Sequence, residues 1–144
     1  MFSVGAIADR LCHQAGPSLR YMVGIAGAPG SGKSTLSAQL RDALIAKGES
    51  ASVVPMDGFH FDDAILNARG HRARKGAPFT FDVLGFEVLL KRIKLREPDI
   101  AIPVFDRSVE LSRAGADIIS AEIKFILVEG NYLLLFRSRP RLSW

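Results

Sequence analysis

A chain of 144 residues, 48% hydrophobic and 24% charged, has the apolar material for one domain core, and its charge and Gly/Pro content exclude a disordered or fibrous protein. The formal net charge of +4 suits an anionic partner such as a phosphorylated metabolite without specifying one. A single cysteine, Cys12, excludes an intrachain disulfide and a cysteine-based zinc site, and leads to the expectation of a reduced, cytoplasmic setting.

Residues Phe2 to Gln14 place Val4, Ile7, Ala8 and Leu11 at helical spacing and stop before Gly16 and Pro17, which predicts a short packing helix. Tyr21 to Ala26 has the character of a buried strand, and GAPGSGKST follows it at once. Leu36, Leu40 and Leu44 then recur every four residues until Gly48, the pattern of a helix with one buried stripe. Ser50 to Met56 predicts a second strand, with Pro55 suited only to its end because proline cannot donate to a ladder. Asp57 therefore stands at that strand's carboxyl end.

Between Asp57 and Thr80 the chain is rich in Gly, Arg and His without a long period, which predicts a functional loop region holding one helical turn over Asp62 to Asn67. Thr80 or Asp82 can cap a helix carrying Val83, Phe86, Leu89, Leu90 and Ile93 as far as Glu97 and Pro98. Ile100 to Phe105 and Ala116 to Ser120 predict two short strands flanking DRSVELSRAG as a hairpin. Ile123 to Val128 is the strongest strand signal, and it delivers Glu129 to its carboxyl end. Strands alternating with helices predict one α/β domain over residues 1–144, with a parallel sheet whose ligands gather at the strands' carboxyl ends.

Two features bear on membranes. The opening MFSVGAIADR lacks the basic start and apolar stretch of a secretory signal. The apolar run from Phe125 to Phe136 is interrupted by Glu129, Gly130 and Asn131 and is too short to span a bilayer, so no membrane partner is expected.

The chemistry is concentrated in the segment Gly27, Ala28, Pro29, Gly30, Ser31, Gly32, Lys33, Ser34 and Thr35, which contains G-x-x-x-x-G-K-[ST]. Glycines let the backbone curl so that successive N–H groups meet phosphate oxygens, and the following helix presents its positive end to the same anion. Lys33 adds a mobile charge for the β- and γ-phosphates, and the Ser34 hydroxyl is placed to ligate Mg²⁺. Position between a predicted strand and a predicted helix is the context this mechanism requires, so ATP and Mg²⁺ are the expected cofactors.

Asp57 could accept a proton from an acceptor hydroxyl or help hold the magnesium shell, its ordinary alternative being a turn residue before Gly58. Glu129 fits the acidic position that follows a second strand of such sites, its alternative being a solvated strand end. The two carboxylates converge if both their strands flank the loop strand. Arg69, His71, Arg72, Arg74 and Lys75 form a basic stretch that could steer a phosphorylated or carboxylated acceptor or could be a solvated charge run. Without a stacking platform or groove-reading motif it does not suggest nucleic acid.

The segments GIAGAPGSGKST, VVPMDGFHFDDAIL, RKGAPFTFD, PVFDRS and ILVEGNYLLL, in that order, resemble the phosphoribulokinase and uridine kinase family of P-loop kinases, with a DGFH element similar to bacterial pantothenate kinases and small nucleoside kinase-like proteins. The resemblance runs from about Arg20 to Leu135. It implies a three-layer P-loop fold and an ATP-dependent kinase whose acceptor is a hydroxyl of a nucleoside, sugar or pantothenate-like metabolite. By the same resemblance Asp57 matches the carboxylate that acts in catalysis together with Lys33, and Ser34 and Glu129 match the metal site. Phe59, His60, Arg74, Lys75, Phe105 and Arg107 fall in elements that line the acceptor pocket. Where uridine kinases carry Tyr-Asp and then histidine, this chain has Phe105, Asp106 and Glu110, a departure that argues against uridine.

The resemblance also implies two further strands and an arginine-bearing lid after the Glu129 strand, where this sequence has FRSRPRLSW with Arg137, Arg139 and Arg141. Without those strands the loop strand is expected to have an open edge that favours self-association into a homo-oligomer, and an inactive kinase is a further reading. A nucleotide-dependent switch or hydrolase is the competing class. A guanine-specific switch would carry N-K-x-D, but neither Asn67 nor Asn131 is followed by lysine.

Overall fold

The computed structural model describes residues 2–137, and the chain divides into two compact units: residues up to Val54 together with those from Ser120 onward, and Pro55–Ile119. Arg139 and Arg141 lie outside the described residues. The elements in chain order are α1 (Val4–Ala15), β1 (Tyr21–Ala26), α2 (Lys33–Ala46), β2 (Ala51–Pro55), α3 (Asp63–Ala68), α4 (Val83–Lys94), β3 (Ile100–Asp106), β4 (Leu111–Ile119), β5 (Phe125–Gly130) and α5 (Leu133–Arg137). Single 3₁₀ turns at Met56–Phe59, Arg72–Arg74 and Pro78–Thr80 punctuate the stretch that the sequence marks as a loop region.

The first unit is built on a three-stranded sheet in the order β1-β5-β2. β1 and β5 run parallel in a register that sets Tyr21 against Phe125 and Ile25 against Glu129. Side chains alternate across a strand, so Ile25, Phe125 and Leu127 share one face. There they join Ala8, Leu11 and Ala15 of α1 and Leu40 and Leu44 of α2 in one core. The opposite face of β1 meets α5, where a Cβ at Gly24 would lie 3.8 Å from the Leu133 methyl. β5 is buried on both faces over Phe125–Val128, which is why its unbroken apolar run is the clearest strand in the sequence.

This order fills in what the sequence leaves open. β5 flanks the loop strand, but β2, which leads to Asp57, pairs with β5 and not with β1. The reason is β5 itself: with apolar side chains on both faces it takes the central place, and β1 lies at an edge. That edge placement matches the open edge expected for the loop strand.

In the second unit α4 buries Phe86, Leu89, Leu90 and Ile93, the positions that its helical spacing marks. Asp82 is the cap, accepting from the Gly85 N–H at 3.0 Å, whereas Thr80 closes its own turn through the Gly76 N–H and the Ala77 carbonyl. β3 and β4 form an antiparallel pair with a register shift between Ile102 and Val104. β4 starts at Leu111, well before the expected Ala116, because the backbone ladder holds a mostly exposed strand whose side chains carry little apolar signal. A four-residue turn, Arg107 to Glu110, is what remains of the expected long connection.

Gly58 is packed directly against the backbone of a neighbouring strand. A Cβ there would stand 2.5 Å from the Pro103 carbonyl oxygen of β3, and the Ser112 hydroxyl of β4 donates to the Gly58 carbonyl. Gly58→Ala should therefore lower the unfolding free energy by about 1–3 kcal/mol, the usual cost of forcing extra volume against fixed backbone. A chemical denaturation midpoint unchanged from the parent would refute this.

Candidate functional site

In the first unit the candidate residues gather in the turn between β1 and α2. Each of its glycines has a separate physical cause. Gly30 and Gly32 adopt φ of +74° and +86°, the left-handed region that side chains rarely enter. Gly27 has no such angle, but a Cβ on it would lie 2.7 Å from Ser31 Oγ and 3.3 Å from the Lys33 methylenes. The loop is closed by the Ser31 N–H donating to the Ala28 carbonyl at 3.2 Å.

Gly32 is the cap of α2 and supplies no side-chain acceptor, and no acidic residue stands in the first turn. The N–H groups of that turn therefore remain directed at an anion, in the field of the helix's positive end. Lys33 is buried, with its ammonium donating to the Ala28 carbonyl at 2.8 Å inside the same loop. Ser34 Oγ donates to Glu129 Oε1 at 3.0 Å, so the β1–β5 ladder brings together a hydroxyl and a carboxylate far apart in sequence. This pair of hard oxygen ligands suits Mg²⁺, which characteristically keeps water and substrate phosphate in its other positions. The described residues hold no cluster of three or more His, Cys, Asp or Glu, so a metal here would need those outside ligands.

A separate cluster of candidate residues lies within the second unit. Asp57 sits in the 3₁₀ turn that follows β2 and accepts from Arg107 Nη2 at 3.1 Å through Oδ2. His60 Nδ1 stands 2.9 Å from the Asp57 carbonyl. A carbonyl only accepts, so Nδ1 carries the hydrogen, and in the neutral form of the ring Nε2 is the acceptor. The His60 ring lies 4.0 Å from that of Phe81 and 5.0 Å from that of Phe105. Lys75 and Arg107 stand 5.1 Å and 5.9 Å from the Phe105 ring, within cation–π range.

Thus His60, Lys75, Phe105 and Arg107 join Asp57 in one contact network. Phe59 packs on Phe86 of α4 at 5.1 Å, and Arg74 lies 6.0 Å over Phe79. Two members had no signal in the sequence. Asp63 accepts from Lys75 at 2.7 Å and from Arg72 at 2.9 Å, and Glu110 lies 3.5 Å from Lys75. The Lys75 hydrogen bond, followed by that of Arg72, holds Asp63 below the ordinary carboxylate range. Asp106 is held low by the Ser108 hydroxyl and backbone N–H, with Arg113 assisting.

With this geometry in place, likeness to known proteins can be weighed. A family model described as methylmalonyl Co-A mutase-associated GTPase MeaB matches residues 3–61, from α1 through the loop to just past Asp57. A Schizosaccharomyces pombe protein provisionally described as a uridine kinase is 36% identical over 123 residues, spanning 81% of this chain and 52% of its own. Pantothenate kinase of Photorhabdus laumondii is 31% identical, over 84% of this chain and 37% of its own. The crystal structure of a kinase from a Silicibacter species, provisionally assigned to a fructose transport system, superposes with a TM-score of 0.86 at 43% identity, covering 92% of this chain and 65% of that one. The chain spans about half the length, or less, of the curated relatives it matches.

Loop, sheet and structural likeness together define a P-loop kinase fold. More narrowly, the chain is similar to proteins described as uridine kinase and pantothenate kinase. Among the described residues no helix is long and apolar enough to cross a membrane.

The Asp63 ion pairs make a pH prediction. Its folded pKa lies below 3.8, so its stabilising contribution is complete above that value and is lost as the pH falls through the folded one. The stability difference between the parent and Asp63→Asn should be largest above about pH 4 and shrink on acidification, as read from thermal melts across that range. A difference that grows with acid would contradict the pairing.

Proposed function

We propose that this protein uses ATP and Mg²⁺ to transfer the γ-phosphoryl group to a hydroxyl of a nucleoside, sugar or pantothenate-like metabolite. The observation that carries the reading is the Ser34–Glu129 pair beside a glycine loop whose lysine is buried. In this reading Gly27 to Thr35 hold the triphosphate, Lys33 neutralises charge on the transferring group, and Ser34 and Glu129 orient the metal. Asp57 is the general base toward the acceptor hydroxyl. Phe59, His60, Arg74, Lys75, Phe105 and Arg107 are the acceptor-side residues.

In this reading residues 1–144 are one kinase domain acting in the cytoplasm. Extent of likeness favours it over a GTP-dependent switch. The GTPase family model matches no further than residue 61, whereas the kinase-named relatives match over four-fifths of the chain, through the residues around Phe105 and Arg107.

Lys33→Ala should weaken MgATP binding by about tenfold or more, since a charge-assisted contact to phosphate is lost while the loop backbone remains. Calorimetric titration checks this, and an unchanged affinity would remove the P-loop assignment. Asp57→Asn should leave MgATP affinity near that of the parent and lower turnover by about 10²–10⁴, the usual worth of a positioned base. Transfer at the parent rate would show that another group takes the proton.

A further inference from the structure

We propose that the acceptor subsite around Asp57 takes an uncharged, polyhydroxylated molecule, a free sugar or a nucleoside, in preference to a phosphorylated or carboxylated one. The proposal rests on the kinase reading above and narrows its acceptor.

The basic stretch from Arg69 to Lys75 invites the opposite conclusion from sequence, but its two cations nearest Asp63, Arg72 and Lys75, are already paired. Arg72 Nε lies 2.9 Å from Asp63 Oδ2, and Lys75 Nζ lies 2.7 Å from Asp63 Oδ1 and 3.5 Å from Glu110 Oε2. Arg107 is held 3.1 Å from Asp57. Arg69 lies over the Phe61 ring at 4.6 Å and Arg74 over that of Phe79. In the network itself Asp57, Asp63 and Glu110 stand against Arg107, Arg72 and Lys75, and the formal charges cancel.

Lys75 decides the matter. Its side chain is only 11% exposed, the least of the three cations in the network, and its ammonium is shared between two carboxylates. A phosphate or carboxylate reaching it would have to displace a carboxylate or stand beside two of them, with no net countercharge to offset its lost hydration. Arg107 is the exposed member, 78% open at its side chain, and its partner is the proposed base.

The groups left for an acceptor point the same way. Asp57 Oδ1 and His60 Nε2 have no protein partner among the described residues, and both are hydrogen-bond acceptors. Hydroxyl hydrogens satisfy them, whereas a phosphate or carboxylate group placed there would not. The His60 ring, lying against Phe81 and Phe105, adds an aromatic surface of the kind on which a sugar ring or base can rest.

The test uses the full chain. MgATP binding is first established by calorimetry with Lys33→Ala as the control. ATP-dependent transfer is then measured for matched pairs: a free hexose and its monophosphate, and a nucleoside and its 5′-monophosphate, with pantothenate as a carboxylated probe. The neutral member of at least one pair should have the higher kcat/KM by about tenfold or more, with pantothenate no better than the phosphorylated members. The two pairs separate sugar from nucleoside.

Glu110→Gln and Asp63→Asn, which partly release Lys75, should shift the ratio toward the phosphorylated member by about threefold to tenfold. A parent that prefers the charged member or pantothenate, or a ratio that neither variant moves, overturns the proposal. A chain that binds MgATP yet phosphorylates neither class also overturns it and leaves the nucleotide assignment standing. Failure to bind MgATP would instead bring down the kinase reading, and this proposal with it.

Discussion

The parallel ladder between β1 and β5 is the constraint on which the candidate nucleotide site depends. Its register sets Ile25 beside Glu129 and Ala26 beside Gly130, so the first residue of the glycine loop leaves the sheet next to the acidic residue of the neighbouring strand. From that point the loop has a short path back to α2, and Ser34 arrives within hydrogen-bonding distance of Glu129. A one-residue slip in a parallel pair would turn every side chain of β5 to the opposite face. The core forbids it, because Phe125 and Leu127 are buried against α1 and α2 on one face while Ile126 and Val128 are buried on the other.

Backbone conformation then does what side chains cannot. Two residues at positive φ curl the loop, and the absence of a side-chain cap on α2 leaves its first N–H groups directed at an external anion. In most helices a Ser, Thr, Asp or Asn side chain would occupy that place. Here the cap is Gly32, and the unsatisfied groups become the binding surface. Lys33 bonded to Ala28 follows the same logic, since a buried ammonium needs an acceptor and the loop's carbonyl is one that a phosphate oxygen can replace.

How much of this could be read beforehand depended on the range of the interactions. β1 was legible to the residue because a short apolar run bounded by glycine has few other readings. α4 was legible because five apolar positions keep helical spacing. The phosphate loop was legible as a motif, since its chemistry demands particular residue types at fixed spacing. β4 was not, because its side chains are mostly exposed and its strand state comes from backbone bonds to β3. Nor was the sheet order, since β2 could neighbour either strand until the burial of β5 settled which one is central.

The counter-ions of Lys75 show the limit most plainly. Asp63 lies in the first turn of α3, where an acidic residue is ordinary because it favours the helix's positive end. Glu110 lies in a hairpin turn, at φ of +51°, where polar residues are equally ordinary. Each has a sufficient local reason to be acidic, so neither stands out in the sequence. Only the fold brings both to one ammonium, and with that the most buried cation of a basic-looking segment is balanced. Net charge over a stretch of sequence therefore overstates the field a ligand meets, since a cation paired at under 3 Å contributes a dipole at longer range and not a monopole. For a site that has to choose among hydroxylated molecules, that difference decides whether its selectivity comes from attraction of charge or from placement of hydrogen-bond acceptors.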